Sequence, residues 1–147
     1  MPRLLLATFA LALIVPLASA CGDDDSGSAT NPGSRRTGKD PEARVHVELN
    51  EFTVTPDKPS VPSGPTEFTA LNASKSQVHE LAVLRVKEDG SYENTGEVED
   101  LDPGAQGSIT LDLPPGNYVL ACLIVPGEAD SATDHFQQGM RQDFEVK

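Results

Sequence analysis

The chain has 147 residues and a formal net charge of −12 at neutral pH, with 23 acidic and 11 basic side chains. Phosphate backbones are bound by basic surfaces, so this balance argues against a nucleic-acid-binding protein. An acidic surface favours solubility and encounter with a basic protein partner, and a merely solvated acidic surface explains it equally well.

The first twenty residues have the pattern of a secretory signal. Arg3 gives a positive start, residues 4–17 form an apolar run, and residues 18–20 are Ala-Ser-Ala, a cleavage site of small residues. The apolar run is too short for a membrane-spanning helix. We therefore predict that residues 1–20 are a signal peptide and that the mature protein works outside the cytoplasm.

Cys21 would be the first residue after this cleavage. Ala-Ser-Ala-Cys resembles the lipobox of bacterial lipoproteins, although Ala18 stands where that pattern favours leucine. The resemblance implies acyl chains on Cys21 and a lipid anchor in a membrane, with plain secretion as the alternative. Residues 22–34 have no apolar side chain larger than alanine and therefore predict a flexible tether. We assign residues 21–41 to the lipidated cysteine and an acidic linker, and residues 42–147 to one folded domain.

The two cysteines of the chain suggest different tasks. An exported protein with two cysteines first suggests a disulfide. A bridge from Cys122 to Cys21, at the start of a tether, would restrain little of the fold. We therefore expect Cys21 to be the anchor and Cys122 to be a free thiol available for a site.

Short alternating runs begin the folded part. Residues 45–49 place Val, Val and Leu on one face, and residues 52–54 form a second short run that proline ends. Further prolines and glycines lead into a run at residues 66–71. No long stretch has helical periodicity, so the pattern predicts an all-β sandwich or barrel.

The second half continues this pattern. Residues 79–86 are apolar on both faces, which predicts a central strand covered on both sides. Residues 87–100 are acidic and interrupted by glycine, and we interpret them as a loop or irregular crossover. Residues 109–113 alternate between apolar and polar side chains, which predicts a strand with one solvent-exposed face. Residues 118–125 form a further apolar run, and residues 144–146 end the last strand.

Three soft side chains lie in the last third of the chain. Cys122 follows an apolar run, and His135 is followed by Met140 with four residues between them and Gly139 directly before the methionine. This arrangement resembles the copper-ligand loop of the cupredoxins, and His79 supplies the distant imidazole that the family needs. The resemblance implies a Greek-key two-sheet β-sandwich. It also implies one type 1-like copper ion held by His79, Cys122, His135 and an axial Met140.

The donor types agree with copper chemistry. A copper ion that alternates between two oxidation states favours a thiolate, two imidazoles and a weak axial thioether. The departure from the family is the segment of twelve residues, 123–134, between Cys122 and His135, where typical members have two to four. Closing this longer loop costs on the order of 1 kcal/mol, which does not forbid binding.

Each residue also has an ordinary structural interpretation. Cys122 alone would be a small buried hydrophobe, His79 a hydrogen-bonded strand residue, and Met140 a core side chain. The cysteine and two histidines without the methionine could hold zinc with an open fourth position. The Asp-His pair near Ser131 lacks a nucleophile elbow and an ordered triad, so we predict no enzyme.

The sequence thus predicts a membrane-anchored, extracytoplasmic cupredoxin that carries electrons or copper, with a redox or copper-handling protein as partner. The alternative is a copper-free cupredoxin-like lipoprotein that acts as an interaction module. Residues 123–134 would then be a recognition element.

Overall fold

The computed structural model describes residues 40–147. The predicted signal peptide, Cys21 and most of the predicted linker lie outside these residues, and their assignment stays a prediction. Nine strands follow one another, and residues 40–147 contain no helix that could cross a membrane. The strands are β1 (Ala43–Asn50), β2 (Thr53–Pro56), β3 (Ser60–Val61), β4 (Gly64–Asn72), β5 (His79–Val86), β6 (Tyr92–Leu101), β7 (Gln106–Leu113), β8 (Gly116–Ala121) and β9 (Arg141–Val146).

The first sheet has four strands in the order β2-β1-β4-β7. Strand β1 runs parallel to β4 and antiparallel to β2, and β4 runs antiparallel to β7. Val45, Val47 and Leu49 are buried while Arg44 and His46 are exposed, as their alternation predicted. One face of this sheet therefore covers the core and the other meets solvent.

The second sheet has five strands in the order β3-β9-β8-β5-β6. Strand β5 is buried on both faces, as predicted. Leu81 and Val83 belong to the main core between the sheets, while Ala82 and Leu84 form a smaller cluster on the outer face. Phe136, which directly follows His135, packs against this outer cluster. The central strand that begins at the candidate site is therefore held from both sides.

The two sheets enclose one apolar core, which confirms the predicted all-β, two-sheet sandwich. Phe68 of β4 and Phe144 of β9 meet across it edge to face, with ring centroids 5.6 Å apart. Burial of a side chain of this size contributes about 1.5–3 kcal/mol. Cys122 and Met140 belong to the same core, so the candidate site is continuous with the close-packed interior of the sandwich.

The prediction of a loop at residues 87–100 was wrong. Most of this segment belongs to β6, which pairs antiparallel with β5 at the edge of the second sheet. Glu93, Glu99 and Asp100 are exposed, and only Val98 and Leu101 are buried, because a charged outer face suits an unpaired edge. Gly96 lets β6 approach β7 closely, since a Cβ there would lie 2.7 Å from Leu111 Cδ2. Gly96, which suggested a loop, therefore lies where the two sheets are in contact.

Candidate metal centre

His79 is the first residue of β5 and is completely buried. The connection before it is held by the buried side chain of Asn72. Its Nδ2 donates to the carbonyl oxygens of Gln77 and Leu101, at 2.8 and 2.7 Å, and its Oδ1 accepts from the Ser74 amide at 2.9 Å. These hydrogen bonds therefore fix the backbone from which the imidazole of His79 projects, at one end of the sandwich.

Cys122 directly follows β8, and its thiol is completely buried and forms no disulfide within residues 40–147. Its amide donates to the carbonyl oxygen of Met140 at 3.1 Å, which continues the pairing of the last two strands. Burial raises the pKa of the thiol to about 11. The group is therefore protonated at neutral pH, and binding of a metal would have to displace that proton.

His135 reaches the same end of the sandwich from the long segment 123–134. Its amide donates to the carbonyl oxygen of Ile124 at 2.9 Å, and its carbonyl oxygen accepts from the Met140 amide at 3.0 Å. The ring is completely buried, with Phe52 packed edge to face at a centroid distance of 5.3 Å. The first of these bonds closes the segment at its base. The twelve residues of segment 123–134 therefore do not keep His135 away from Cys122.

Three donor atoms converge at this point. His135 Nδ1 lies 3.3 Å from Cys122 Sγ and 3.2 Å from His79 Nδ1, and the remaining distance from Sγ to His79 Nδ1 is 4.0 Å. Within the described part of the chain, these are the residues grouped closely enough to hold a metal ion through histidine, cysteine or carboxylate donors.

The separations suit one tetrahedral or trigonal ion. With metal–nitrogen bonds of about 2.0–2.1 Å and a metal–sulfur bond of about 2.3 Å, two nitrogens would stand about 3.4–3.6 Å apart and nitrogen and sulfur about 3.6–3.8 Å apart. Each observed distance is within about half an ångström of these values. One thiol and two imidazoles are also the donor set of type 1 copper, so the cluster fits one such ion.

Met140 is completely buried and belongs to the same core cluster as Cys122. Its backbone is bonded to that of Cys122 on one side and His135 on the other. The four predicted residues are thus brought to one end of the sandwich. Their individual roles as metal ligands stay predictions, as does lipidation of Cys21.

The two imidazoles are prepared for metal binding by their surroundings. Burial lowers the pKa of His79 to about 4, helped by the neighbouring His135 and opposed by Glu51. Burial also lowers the pKa of His135, against a smaller opposing effect of Asp134. Both rings are therefore neutral at neutral pH, so neither has to lose an added proton before a nitrogen can bind a cation.

Two residues that contact the site were not predicted from the sequence. Glu80 Oε1 accepts the Leu123 amide at 2.8 Å and so ties the residue after Cys122 to β5. Ser131 Oγ lies 3.0 Å from Nε2 of His135. Alternation along β5 turns Glu80 away from His79, and Ser131 lies in an irregular segment. Neither therefore carried a periodic signal that could have revealed it.

Comparison with known proteins gives a consistent fold. No protein-family model and no curated protein sequence matches the chain. The solved auracyanin from the photosynthetic bacterium Roseiflexus castenholzii, in its dithionite-reduced form, is similar with 23% identity and a TM-score of 0.54, covering 71% of this chain and 96% of that one. Auracyanin B is similar with 18% identity and a TM-score of 0.58, covering 78% and 96%.

These identities are low, and the likeness concerns the backbone arrangement over nearly the whole length of each solved chain. The two-sheet architecture of this chain agrees with it. The protein has the cupredoxin fold, in a form similar to that of the auracyanins.

Proposed function

We propose that this protein binds one type 1-like copper ion and transfers single electrons, or carries copper, outside the cytoplasmic membrane. Cys122 would be the thiolate ligand, His79 and His135 the imidazole ligands, and Met140 the weak axial ligand. The observation that carries the proposal is the convergence of one buried thiol and two neutral imidazole nitrogens. Copper in such a site supplies one-electron redox chemistry.

The chain contributes rigidity and exclusion of water. All four side chains are completely buried, and the backbone bonds at Cys122, His135 and Met140 join the end of β8, the long segment and the start of β9. A site held in this way favours similar positions of the donors in both oxidation states. Such a restraint supports electron transfer, because little of the surrounding structure has to rearrange.

The proposed location depends on the first part of the chain. A signal peptide at residues 1–20 and acyl chains on Cys21 would hold the sandwich at the outer side of a membrane by a flexible linker. A redox or copper-handling protein would be its partner, and the net charge of −12 favours a basic one. We propose no enzymatic reaction for this chain.

Titration with Cu(II) tests the copper site. The full chain carrying Cys21→Ser, purified in mild detergent and stripped with a chelator, has Cys122 as its single thiol. We expect one equivalent of copper to produce an intense visible thiolate-to-copper band, which Cys122→Ala abolishes. His46→Ala is the matched control, because this exposed histidine on β1 lies outside the donor cluster.

The copper proposal is wrong if no band forms, or if the band survives in Cys122→Ala. A colourless protein whose melting temperature does not change with copper would favour the copper-free interaction module instead. Mass spectrometry of the wild-type N-terminal peptide, expressed in a bacterium, tests the anchor separately. We expect the peptide to begin at Cys21 with the added mass of acyl chains, and an unmodified Cys21 would refute the anchor.

A further inference from the structure

We propose that Ser131 is a positioning residue for the metal centre. It holds the ring of His135 with hydrogen on Nε2, so that the unprotonated Nδ1 faces Cys122 and His79. This inference rests on the proposed copper function and adds to it a residue from the segment 123–134, the segment in which the chain departs most from the cupredoxin pattern.

The hydrogen bonds around Ser131 determine whether its hydroxyl or the ring nitrogen of His135 is the donor in the contact between them. Its hydroxyl donates to the carbonyl oxygen of Thr133 at 2.9 Å, and the Thr133 amide donates to the same Oγ at 3.1 Å. A serine hydroxyl has one hydrogen and two acceptor lone pairs. With its hydrogen directed at Thr133, Oγ can only accept from His135 Nε2, 3.0 Å away. The ring nitrogen must therefore be the donor.

A hydrogen on Nε2 leaves the lone pair on Nδ1, since a neutral imidazole carries one hydrogen. Nδ1 of His135 is the atom that lies 3.3 Å from Cys122 Sγ and 3.2 Å from His79 Nδ1. The hydrogen bond between Ser131 and Nε2 thus selects the tautomer in which Nδ1 has the free lone pair that a metal ion would need. A hydrogen bond to the second nitrogen is the usual way in which proteins orient a metal-binding histidine.

The long segment is folded so as to deliver this hydroxyl. The Ser131 amide donates to the carbonyl oxygen of Glu128 at 2.8 Å, and the Ser131 carbonyl accepts from the Gly127 amide at 2.9 Å. Ser131 is itself buried. The fold of the segment therefore places the Ser131 hydroxyl against the outer edge of His135, whose ring is completely buried.

His79 provides the contrast. Its Nε2 is buried and has no hydrogen-bond partner among residues 40–147. Of the two imidazoles, only His135 therefore has a side-chain partner in the described structure that fixes its outer nitrogen. We expect the metal affinity of the site to depend on this one contact.

The test begins with the metal-free protein. In the full chain carrying Cys21→Ser, long-range proton–nitrogen correlation spectra report which nitrogen of each imidazole carries hydrogen. Only three histidines are present in the sequence, so single substitutions assign them. We expect hydrogen on Nε2 of His135 in the parent chain and a mixture of tautomers in Ser131→Ala.

Affinity is the second measurement, made by competition between the protein and a chelator for Cu(II). We expect Ser131→Ala to bind ten- to a hundred-fold more weakly, in the range typical for loss of such partners. Ser131→Thr keeps the hydroxyl and should recover most of the affinity. Thr133→Ala is the matched control, because it removes a hydroxyl from the same segment while keeping the backbone groups that Ser131 contacts. It should stay within about twofold of the parent.

The inference is overturned if His135 of the parent chain carries its hydrogen on Nδ1. It is also overturned if Ser131→Ala, with its fold verified by melting, binds copper as tightly as Thr133→Ala. Failure of the proposed function would look different. The tautomer would be found as expected in the metal-free chain, yet no thiolate-to-copper band would form on titration of that parent chain.

Discussion

Acidification should destabilise the metal-free protein through His79. The pKa of this ring is lowered from its ordinary value of 6.5 to about 4 by burial, then by the neighbouring His135, with Glu51 opposing. Because the folded pKa lies below the unfolded one, the unfolded chain takes up a proton first as the pH falls. The stability that the neutral ring allows is therefore present above pH 6.5 and is lost through the window down to about 4.

The size of the effect follows from these two values. The difference between an ordinary 6.5 and about 4 corresponds to roughly 3 kcal/mol of unfolding free energy. Most of this loss should be complete at about pH 4.5. It is a large fraction of the roughly 5–15 kcal/mol by which a typical domain is stable, at the scale of one deleted core side chain.

Urea unfolding at a series of pH values measures it, with chelator present because bound metal would add its own stabilisation. Burial raises the pKa of Glu80, so that carboxyl acts in the opposite direction. The comparison that isolates His79 is therefore between the parent chain and His79→Gln at each pH. His46→Gln, at an exposed position on β1, is the control for replacing a histidine.

We expect the stability of the parent chain and of His46→Gln to fall together between about pH 6.5 and 4.5, and that of His79→Gln to fall by roughly 2 kcal/mol less over this range. Equal pH dependence in the parent and His79→Gln would refute the reasoning. It would mean that the buried ring takes up its proton as readily in the folded protein as in the unfolded chain.

Other substitutions test the axial ligand, the contact between the sheets and the support of the site. Met140→Leu should keep the thiolate-to-copper band but shift it in the visible spectrum, since only the weak axial donor is removed. Gly107→Ala should lower the unfolding free energy by about 1–3 kcal/mol in urea, because the new Cβ would collide with Val98 Cγ1. Asn72→Ala should cost at least about 2 kcal/mol by leaving buried backbone groups unpaired, whereas the exposed Asn94→Ala should cost less than about 0.5.

Their controls are internal to the chain. Gly107→Ala combined with Val98→Ala should cost less stability than the sum of the two single substitutions, because the methyl group that collides is removed. Strictly additive losses would contradict the steric explanation. A Met140→Leu spectrum identical to that of the parent would remove Met140 from the proposed ligand set. Equal losses for Asn72→Ala and Asn94→Ala would show that the buried hydrogen bonds do not matter.

The alternation of apolar residues was enough to predict the central strands. Val45, Val47 and Leu49 lie on one face because a strand has a period of two, and β5 is apolar on both faces because both are covered. Strand β6 was not predicted because its sequence has no pattern typical of a strand, and it forms by pairing with β5. An edge strand with acidic outer residues has the same composition as a loop.

The convergence of donors could be predicted only through resemblance. Nothing in the local sequence brings His135 to Cys122 across twelve residues. The structure does so with the backbone bond from the His135 amide to the Ile124 carbonyl oxygen and with those between Met140 and both His135 and Cys122. The hydroxyl of Ser131 was out of reach for the same reason, since its position depends on how an irregular segment folds on itself. Such contacts follow from tertiary structure and leave no periodic trace in the sequence.

The central claim is that Cys122, His79 and His135 together hold one copper ion. Anomalous diffraction at the copper edge, from crystals of the copper-loaded chain, tests it most directly. We expect a single peak within bonding distance of Cys122 Sγ and of Nδ1 of both histidines. A loaded crystal with its copper at any other site, or with no copper between these three atoms, would contradict the account.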